Sequence, residues 1–388
     1  MMAKTDLQFG KTLKKYGAID FNACYNCGTC TAVCSLSNED ESFPREMVRL
    51  SVLGLDKEIQ RSLKPWSCYY CGDCSTYCPQ EAQPGELMMS LRRYLTSRYD
   101  WTGLSRKLYT SKVWEFGSII FLALVILALF IFYHGPMTTE LTPEGGVKIN
   151  TFAPWKTIEM GDWIMAGLLS FFLLSNIFNM FLKVIVRNKK VKVPFKVYFT
   201  EFWKLIVHFA TQKRFADCES NKESFFSKLK TGKFNYWIVH FLLMSSYVAL
   251  FTMIVGFLYW FQTEEIHEWW HPQRLIGYYA TFGLTFGVIY FAVHRFRKKR
   301  QTSKHSHSTD WIFLTLLFLT TITGILVHIF RIYGMPYETY YLYVFHIMVL
   351  VPMLVIEVPF SKWSHLAYRP FAIYFSNVIS AAEKLQKK

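Results

Sequence analysis

Six long apolar blocks decide what this chain can become. They run near Phe116–Tyr133, Trp163–Leu182, Tyr236–Phe261, Leu275–Val293, Trp311–Phe330 and Thr339–Ile356, and inside them histidine is the only residue with charge to offer. A bilayer core of about 30 Å takes about 20 helical residues. In lipid, a helix satisfies its own backbone groups within one segment. The blocks therefore predict an all-α, six-span membrane domain over residues 114–370, since a soluble core has no use for six such stretches.

The connections orient the spans. Those at 187–235 and 294–310 and the tail at 357–388 carry 12, 6 and 5 Lys/Arg, whereas those at 134–162, 262–274 and 331–338 carry 2, 1 and 1. Excess Lys/Arg marks the cytoplasmic side. Both termini are then cytoplasmic, in an inner membrane, with 371–388 as a cytoplasmic tail. Met1–Asp20 lacks the apolar core of a signal peptide, which agrees. The net charge of +15 reads as this topology signal, so nucleic acid is excluded as a partner and membrane lipid expected. The segment 195–215 mixes aromatics with lysines, as a helix lying in the interface does. His208 on it reads as structural.

Residues 1–113 carry 15 Lys/Arg and 12 Asp/Glu and read as a soluble head. Eight of the nine cysteines fall there, in two runs, Cys24-Tyr-Asn-Cys27-Gly-Thr-Cys30-Thr-Ala-Val-Cys34 and Cys68-Tyr-Tyr-Cys71-Gly-Asp-Cys74-Ser-Thr-Tyr-Cys78-Pro79. That spacing serves paired 4Fe–4S clusters, in which the fourth cysteine of each run ligates the other cluster. Cys24, Cys27, Cys30 and Cys78 are thus expected to hold one cluster, and Cys68, Cys71, Cys74 and Cys34 the second. Structural zinc is the alternative; a disulfide framework is disfavoured by a cytoplasmic location. Cys218 stands alone in a polar loop and reads as a bystander.

A haem b held by two histidines needs both at one depth. His305 and His307 lie in the basic loop, His134, His267 and His271 in outer connections, and His294 at the end of the fourth block, and all read as interfacial. Depth pairs His240 with His365 on the cytoplasmic side and His328 with His346 on the outer side, giving one or two haems. In the one-haem case His328 is a quinone-site residue. Glu357, an ionisable group at membrane depth, is a candidate proton relay to quinone or a headgroup contact. Arg331 is a candidate partner for a haem propionate. No Cys-x-x-Cys-His occurs, which excludes c-type haem. No dinucleotide fingerprint occurs either, so flavin and nicotinamide belong to partner subunits.

The head resembles the small iron–sulfur subunit family of heterodisulfide reductase through Cys24–Cys34, Phe43-Pro44-Arg45-Glu46-Met47-Val48-Arg49-Leu50, Leu53-Gly54-Leu55, Trp66-Ser67-Cys68 and Cys78-Pro79. The resemblance covers roughly 18–100 and implies a helical ferredoxin domain with two 4Fe–4S clusters. The membrane part resembles the gamma subunit family of respiratory nitrate reductase, from His346 to Pro359-Phe360-Ser361-Lys362-Trp363-Ser364-His365. That resemblance implies haem b ligands at His240, His346 and His365. Two departures stand out. The last-helix pair is one residue further apart than in that family, so Pro352 or Pro359 has to absorb a turn of about 100°. The second ligand position of the earlier helix is Leu250.

The fusion of the two parts resembles the iron–sulfur and haem b membrane subunit family of quinone-interacting membrane-bound oxidoreductase complexes. This implies cytoplasmic flavin and iron–sulfur partner subunits and menaquinone, with a link to adenylylsulfate reductase in sulfur-metabolising organisms. The expected function is electron transfer between those partners and the quinone pool. One rival is a heterodisulfide reductase-type subunit serving a thiol–disulfide partner, although the chain has no Cys-Cys pair. Another is a non-redox receptor or transporter with a zinc-bound head.

Overall fold

The computed structural model describes residues 5–38, 41–187, 191–212 and 234–386, with backbone alone at 234 and 235. Cys218 and the end of the 195–215 segment lie outside the described residues. Among these residues the structure is helical, with one isolated antiparallel bridge between Leu141 and Val147. Six helices are long and apolar enough to cross a membrane: Lys112–Tyr133, Trp155–Val186, Tyr236–Phe261, Pro272–Arg297, Ser308–Ile332 and Pro336–Phe360. Each of the six apolar blocks lies within one of them. Several helices start earlier than their blocks, because polar first turns such as Ser308-Thr309-Asp310 hold the caps.

The spans pack in the order first–sixth–fifth–fourth–third–second, and the second also meets the inner end of the sixth. Small residues set the tightest contact. A Cβ on Gly283 of the fourth span would stand 2.0 Å from Ser246 Oγ of the third, and one on Gly287 would stand 2.4 Å from Leu243 Cδ1. This is the close helix approach that a small-xxx-small pattern allows in lipid. In the first span only Glu115 is fully buried; Ile119, Leu122 and Phe130 pack partly against the bundle, while Phe121, Leu124 and Phe132 face outward.

The sixth span changes its winding near its end. Its helix runs Pro336–Pro352 and then widens into a π-turn at Met353–Glu357. A π-turn closes over one more residue than an α-turn. Pro359 lacks an N–H, and its ring crowds the carbonyl four residues back, so the wide turn relieves the clash. The chain breaks at Ser361 (φ −128°, ψ −142°), and a new helix, His365–Gln386, begins at the histidine itself.

The head is built on Pro84–Tyr99, a helix with Pro at its start and nearly all of its side chains buried. Its core does not stop at residue 113. It runs through Phe9, Met47, Trp66, Leu91 and Tyr94 into Ile177 and Met180 of the second span, Val197 and Leu205 of the interfacial helix, and Tyr368, Phe375 and Val378 of the last helix. Trp66 stacks on Tyr368 at 5.3 Å between centroids. The residues after 370, expected as a tail, are therefore helical to Gln386 and part of the head's core. The boundary has moved because Tyr368, Ala372 and Phe375 bury one face of that helix.

The interfacial helix, Phe195–Thr211, buries Val197, Glu201, Leu205 and His208, one stripe at helical spacing. It exposes Phe195, Phe199, Phe202, Trp203 and Phe209.

Candidate functional site

The two cysteine runs fold alike. In each, the second residue after the first cysteine is left-handed (Asn26 φ 61°, Tyr70 φ 58°), and so is the glycine before the third (Gly28 φ 89°, Gly72 φ 92°). A one-turn helix then follows, Thr29–Ala32 or Asp73–Thr76. These bends turn amides onto sulfur. Asn26 N–H donates to Cys24 Sγ (3.4 Å), Tyr70 N–H to Cys68 Sγ (3.3 Å) and Ala82 N–H to Cys78 Sγ (3.4 Å). Amides aimed at sulfur favour the thiolate and tune the potential of a cluster bound to it.

The fourth cysteines cross over. Burial pushes the Cys30 thiol up, and the thiols that add to this are Cys24, Cys78 and Cys27. Burial pushes Cys34 up to about 11, with Cys68 and Cys71 adding. Cys34, Cys68, Cys71 and Cys74 line one small hollow of about 20 Å³ with Gly72 and Gly85. Buried thiols of this kind ionise when a metal neutralises them, and four sulfurs around a hollow are the donor set of a cubane.

Between the head and the spans lies an inner cavity of about 190 Å³, lined by Tyr69 and Tyr70 of the second cysteine run and by His240 and His365. The His240 and His365 ring centroids are 6.4 Å apart. An imidazole nitrogen sits about 2 Å from a bound first-row metal and its ring centroid about 1 Å further back. Two axial imidazoles therefore stand with centroids about 6 Å apart.

Each ring is oriented from behind. His365 Nδ1–H donates to the Lys362 carbonyl at 2.6 Å. Gln212, at the end of the interfacial helix, gives its amide N–H to Met244 Sδ (2.8 Å), so its carbonyl accepts from His240 Nδ1 (3.0 Å). In this tautomer Nε2 is the ligating atom. Burial holds His365 well below the ordinary histidine range, and hence neutral. These donors fit a bis-histidine haem.

Arg369, one turn after His365, donates to the Cys68 carbonyl at 2.6 Å and lies over the Tyr69 ring at 4.5 Å. Arg92 binds the same carbonyl and that of Pro65 (2.8 Å). The second cysteine set and the inner histidine are thus joined through one backbone carbonyl.

An outer cavity of about 460 Å³ takes in His328, His346, Arg331 and Leu250. His346 packs on the fifth span, where its Cε1 would be 3.3 Å from a Cβ on Gly324. Its Nδ1 meets Thr323 Oγ1 at 2.8 Å, and that hydroxyl donates to Leu319 O at 2.6 Å. His328 turns instead to Arg274, whose Nη1 donates to His328 Nε2 at 2.7 Å. Arg331 binds the Thr263 carbonyl. Tyr247, Leu284 and Leu317 line both cavities.

Glu357, in the π-turn, is fully buried, and neither carboxylate oxygen has a hydrogen-bond partner among the described residues. Glu115 of the first span is equally buried; its Oε2 accepts from Ser308 Oγ at 3.3 Å. His307 is not a plain loop residue. It caps the fifth span in a capping box with Asp310, Thr309 N–H donating to its ring and its own N–H to Asp310 Oδ2. Gln212, Arg369 and Asp310 carry no motif, and sequence reasoning missed them. For Asp310 the signal was present as an acid two residues inside a span.

Residues 20–82 match the 4Fe-4S dicluster domain family. Among curated proteins the chain is similar to a heterodisulfide reductase subunit-like protein of Archaeoglobus profundus (29% identical, 29% of this chain and 59% of the relative). It is also similar to a subunit of the ferredoxin:CoB-CoM heterodisulfide reductase of Methanosarcina acetivorans (31% identical, 21% and 33%). A third relative is an iron–sulfur subunit of the CoB–CoM heterodisulfide reductase of Methanocaldococcus jannaschii (32% identical, 25% and 52%). The chain thus spans between a third and three-fifths of these relatives' lengths. No solved structure matches it. The names of these relatives are those of heterodisulfide reductase subunits or subunit-like proteins.

Proposed function

We propose that the chain is the membrane subunit of a respiratory oxidoreductase, carrying electrons between cytoplasmic flavin and iron–sulfur partners and the quinone pool. Menaquinone is the expected quinone. The observation that supports this most is the inner cavity, where a histidine pair at ligating separation stands beside the second cysteine set. Cys24, Cys27, Cys30 and Cys78 would hold the first cluster, Cys68, Cys71, Cys74 and Cys34 the second, and His240 and His365 a haem b. Once bound, these groups supply one-electron redox centres, and the protein sets their positions and surroundings.

The chain's own residues do the rest. Backbone N–H groups hold the thiolates, Lys362 and Gln212 fix the imidazole tautomers, and Trp66 and Trp363 line the inner cavity, with Tyr368 stacked on Trp66. The outer cavity would serve either a second haem, with His346 as one ligand and His328 as the other, or the quinone itself, with His328 and Arg274 facing its oxygen. Arg331 is the weaker candidate for a propionate partner, and Glu357 would pass a proton at membrane depth. The charge of the connections supports placing the head and both termini in the cytoplasm.

A heterodisulfide reductase-type role, with delivery to a thiol–disulfide partner, is the second reading, supported by the relatives of the head. Metal and haem content together with a dithionite-reduced-minus-oxidised spectrum tests the proposal. About eight cluster irons and a haem b α-band per chain are expected. Zinc in place of iron, with no haem band, would refute it. Rapid reoxidation by a water-soluble menaquinone analogue, and none by a disulfide substrate, would separate the two readings.

A further inference from the structure

The inner cavity has two chemistries. Its deep half is apolar, with Leu243 and Tyr247 from the third span, Leu284 from the fourth and Leu317 from the fifth. Its mouth, against the head, carries Arg93, Arg295, Lys362 and Arg369. A single carboxylate, Asp310, serves three of them, with Lys362 at 2.5 Å, Arg93 at 3.3 Å and Arg295 at 3.8 Å. Glu86 offers little compensation, because burial lifts it to about 7. Burial likewise pulls Lys362 down to about 8.

The Arg93 side chain is 6% exposed, and among the described residues neither its Nε nor the buried Nε of Arg369 has a hydrogen-bond partner. Buried cations in excess of their anions are costly. A flat apolar ligand with a doubly anionic edge would satisfy both halves of the cavity at once, and guanidinium groups match carboxylates in a planar fork.

We propose that Arg93, Arg295, Lys362 and Arg369 form the seat for the two propionate carboxylates of the inner haem. The inference rests on the haem reading given above. Asp310 is then the built-in counter-ion that keeps three of these cations in place, and it shares them with the incoming carboxylates. The seat fixes which edge of the ligand faces the head. Through Arg369 it brings that edge to the group already bonded to the Cys68 carbonyl.

The test uses the full-length chain with its clusters, in nanodiscs and depleted of haem. Ferric protoporphyrin IX and its dimethyl ester are titrated in separately, and the bis-imidazole Soret band is read. The free acid should bind about tenfold or more tighter than the ester, the order of one charged hydrogen bond. Arg295→Gln and Lys362→Gln should each lower the affinity for the acid about tenfold and leave that for the ester unchanged. Equal affinities for acid and ester in the unmodified protein overturn the seat alone. A bis-imidazole band with neither porphyrin overturns the haem reading and the seat with it. Should one variant lose both ligands through misfolding, the other decides, and an unchanged preference for the acid there also overturns the seat.

Discussion

The inner and outer cavities hold two histidines each, and they treat them differently. Inside, each ring is braced from behind by a carbonyl, that of Lys362 or that of the Gln212 amide, and the two rings stand 6.4 Å apart. Outside, His346 is braced by Thr323, but the His328 Nε2 lone pair is taken up by Arg274. A metal-binding imidazole needs that lone pair. The contrast teaches that equal depth is necessary for a ligand pair but not sufficient. What distinguishes the inner pair is the set of residues behind the rings.

Four experiments press on this contrast. The largest effect belongs to His365→Ala, which should abolish the inner bis-histidine signal and leave any outer signal intact. Unchanged haem stoichiometry would break the assignment of the inner pair.

Next comes Asp310→Ala, which strands Arg93 and Lys362 at the joint between the head and the spans. Removing one partner of a buried pair costs about 3–5 kcal/mol, so thermal unfolding of the head and the inner spans should shift down together. A stability within error of the parent would show that the joint is not electrostatic.

Gln212→Ala removes the brace behind His240. Outer-shell losses weaken metal affinity by about 10–100-fold, so haem should wash out of the inner cavity more readily. Thr323→Val, its outer counterpart, removes about 1 kcal/mol of hydrogen bonding and should leave the inner haem's midpoint unaltered. A shift of the inner midpoint by Thr323→Val as large as that by Gln212→Ala would erase the contrast.

The smallest but sharpest test is Arg274→Met. If the outer cavity takes a haem on His328, freeing that ring should raise the outer haem occupancy. If it takes quinone, the same change should lower quinone affinity and leave haem content constant. No change in either would remove His328 from both readings.

Local order was legible in the sequence. Each apolar block sits inside one long helix, and the repeated cysteine spacing recurs as two loops of the same shape, because both signals depend on neighbours a few residues apart. Depth also matched His240 with His365. What escaped were contacts between distant positions. Arg369 reaches Cys68, Arg93 reaches Asp310 and Gln212 reaches His240, and no periodicity marks such partners. The end of the chain escaped for the same reason. Residues 371–386 are mostly apolar, with Glu383 and Lys384 their only charges, but what their apolar face meets lies far away in sequence, since Tyr368, Phe375 and Val378 pack with the head. The π-turn at Met353–Glu357 also escaped, because it depends on how Pro352 and Pro359 constrain the same two turns.

That shared core carries a consequence for biosynthesis. Trp66 and Tyr99 leave the ribosome before the six long helices, and their partner Tyr368 after them. The head cannot finish closing until all six long apolar helices have been made, so a chain that stalls midway keeps an open aromatic face on the head.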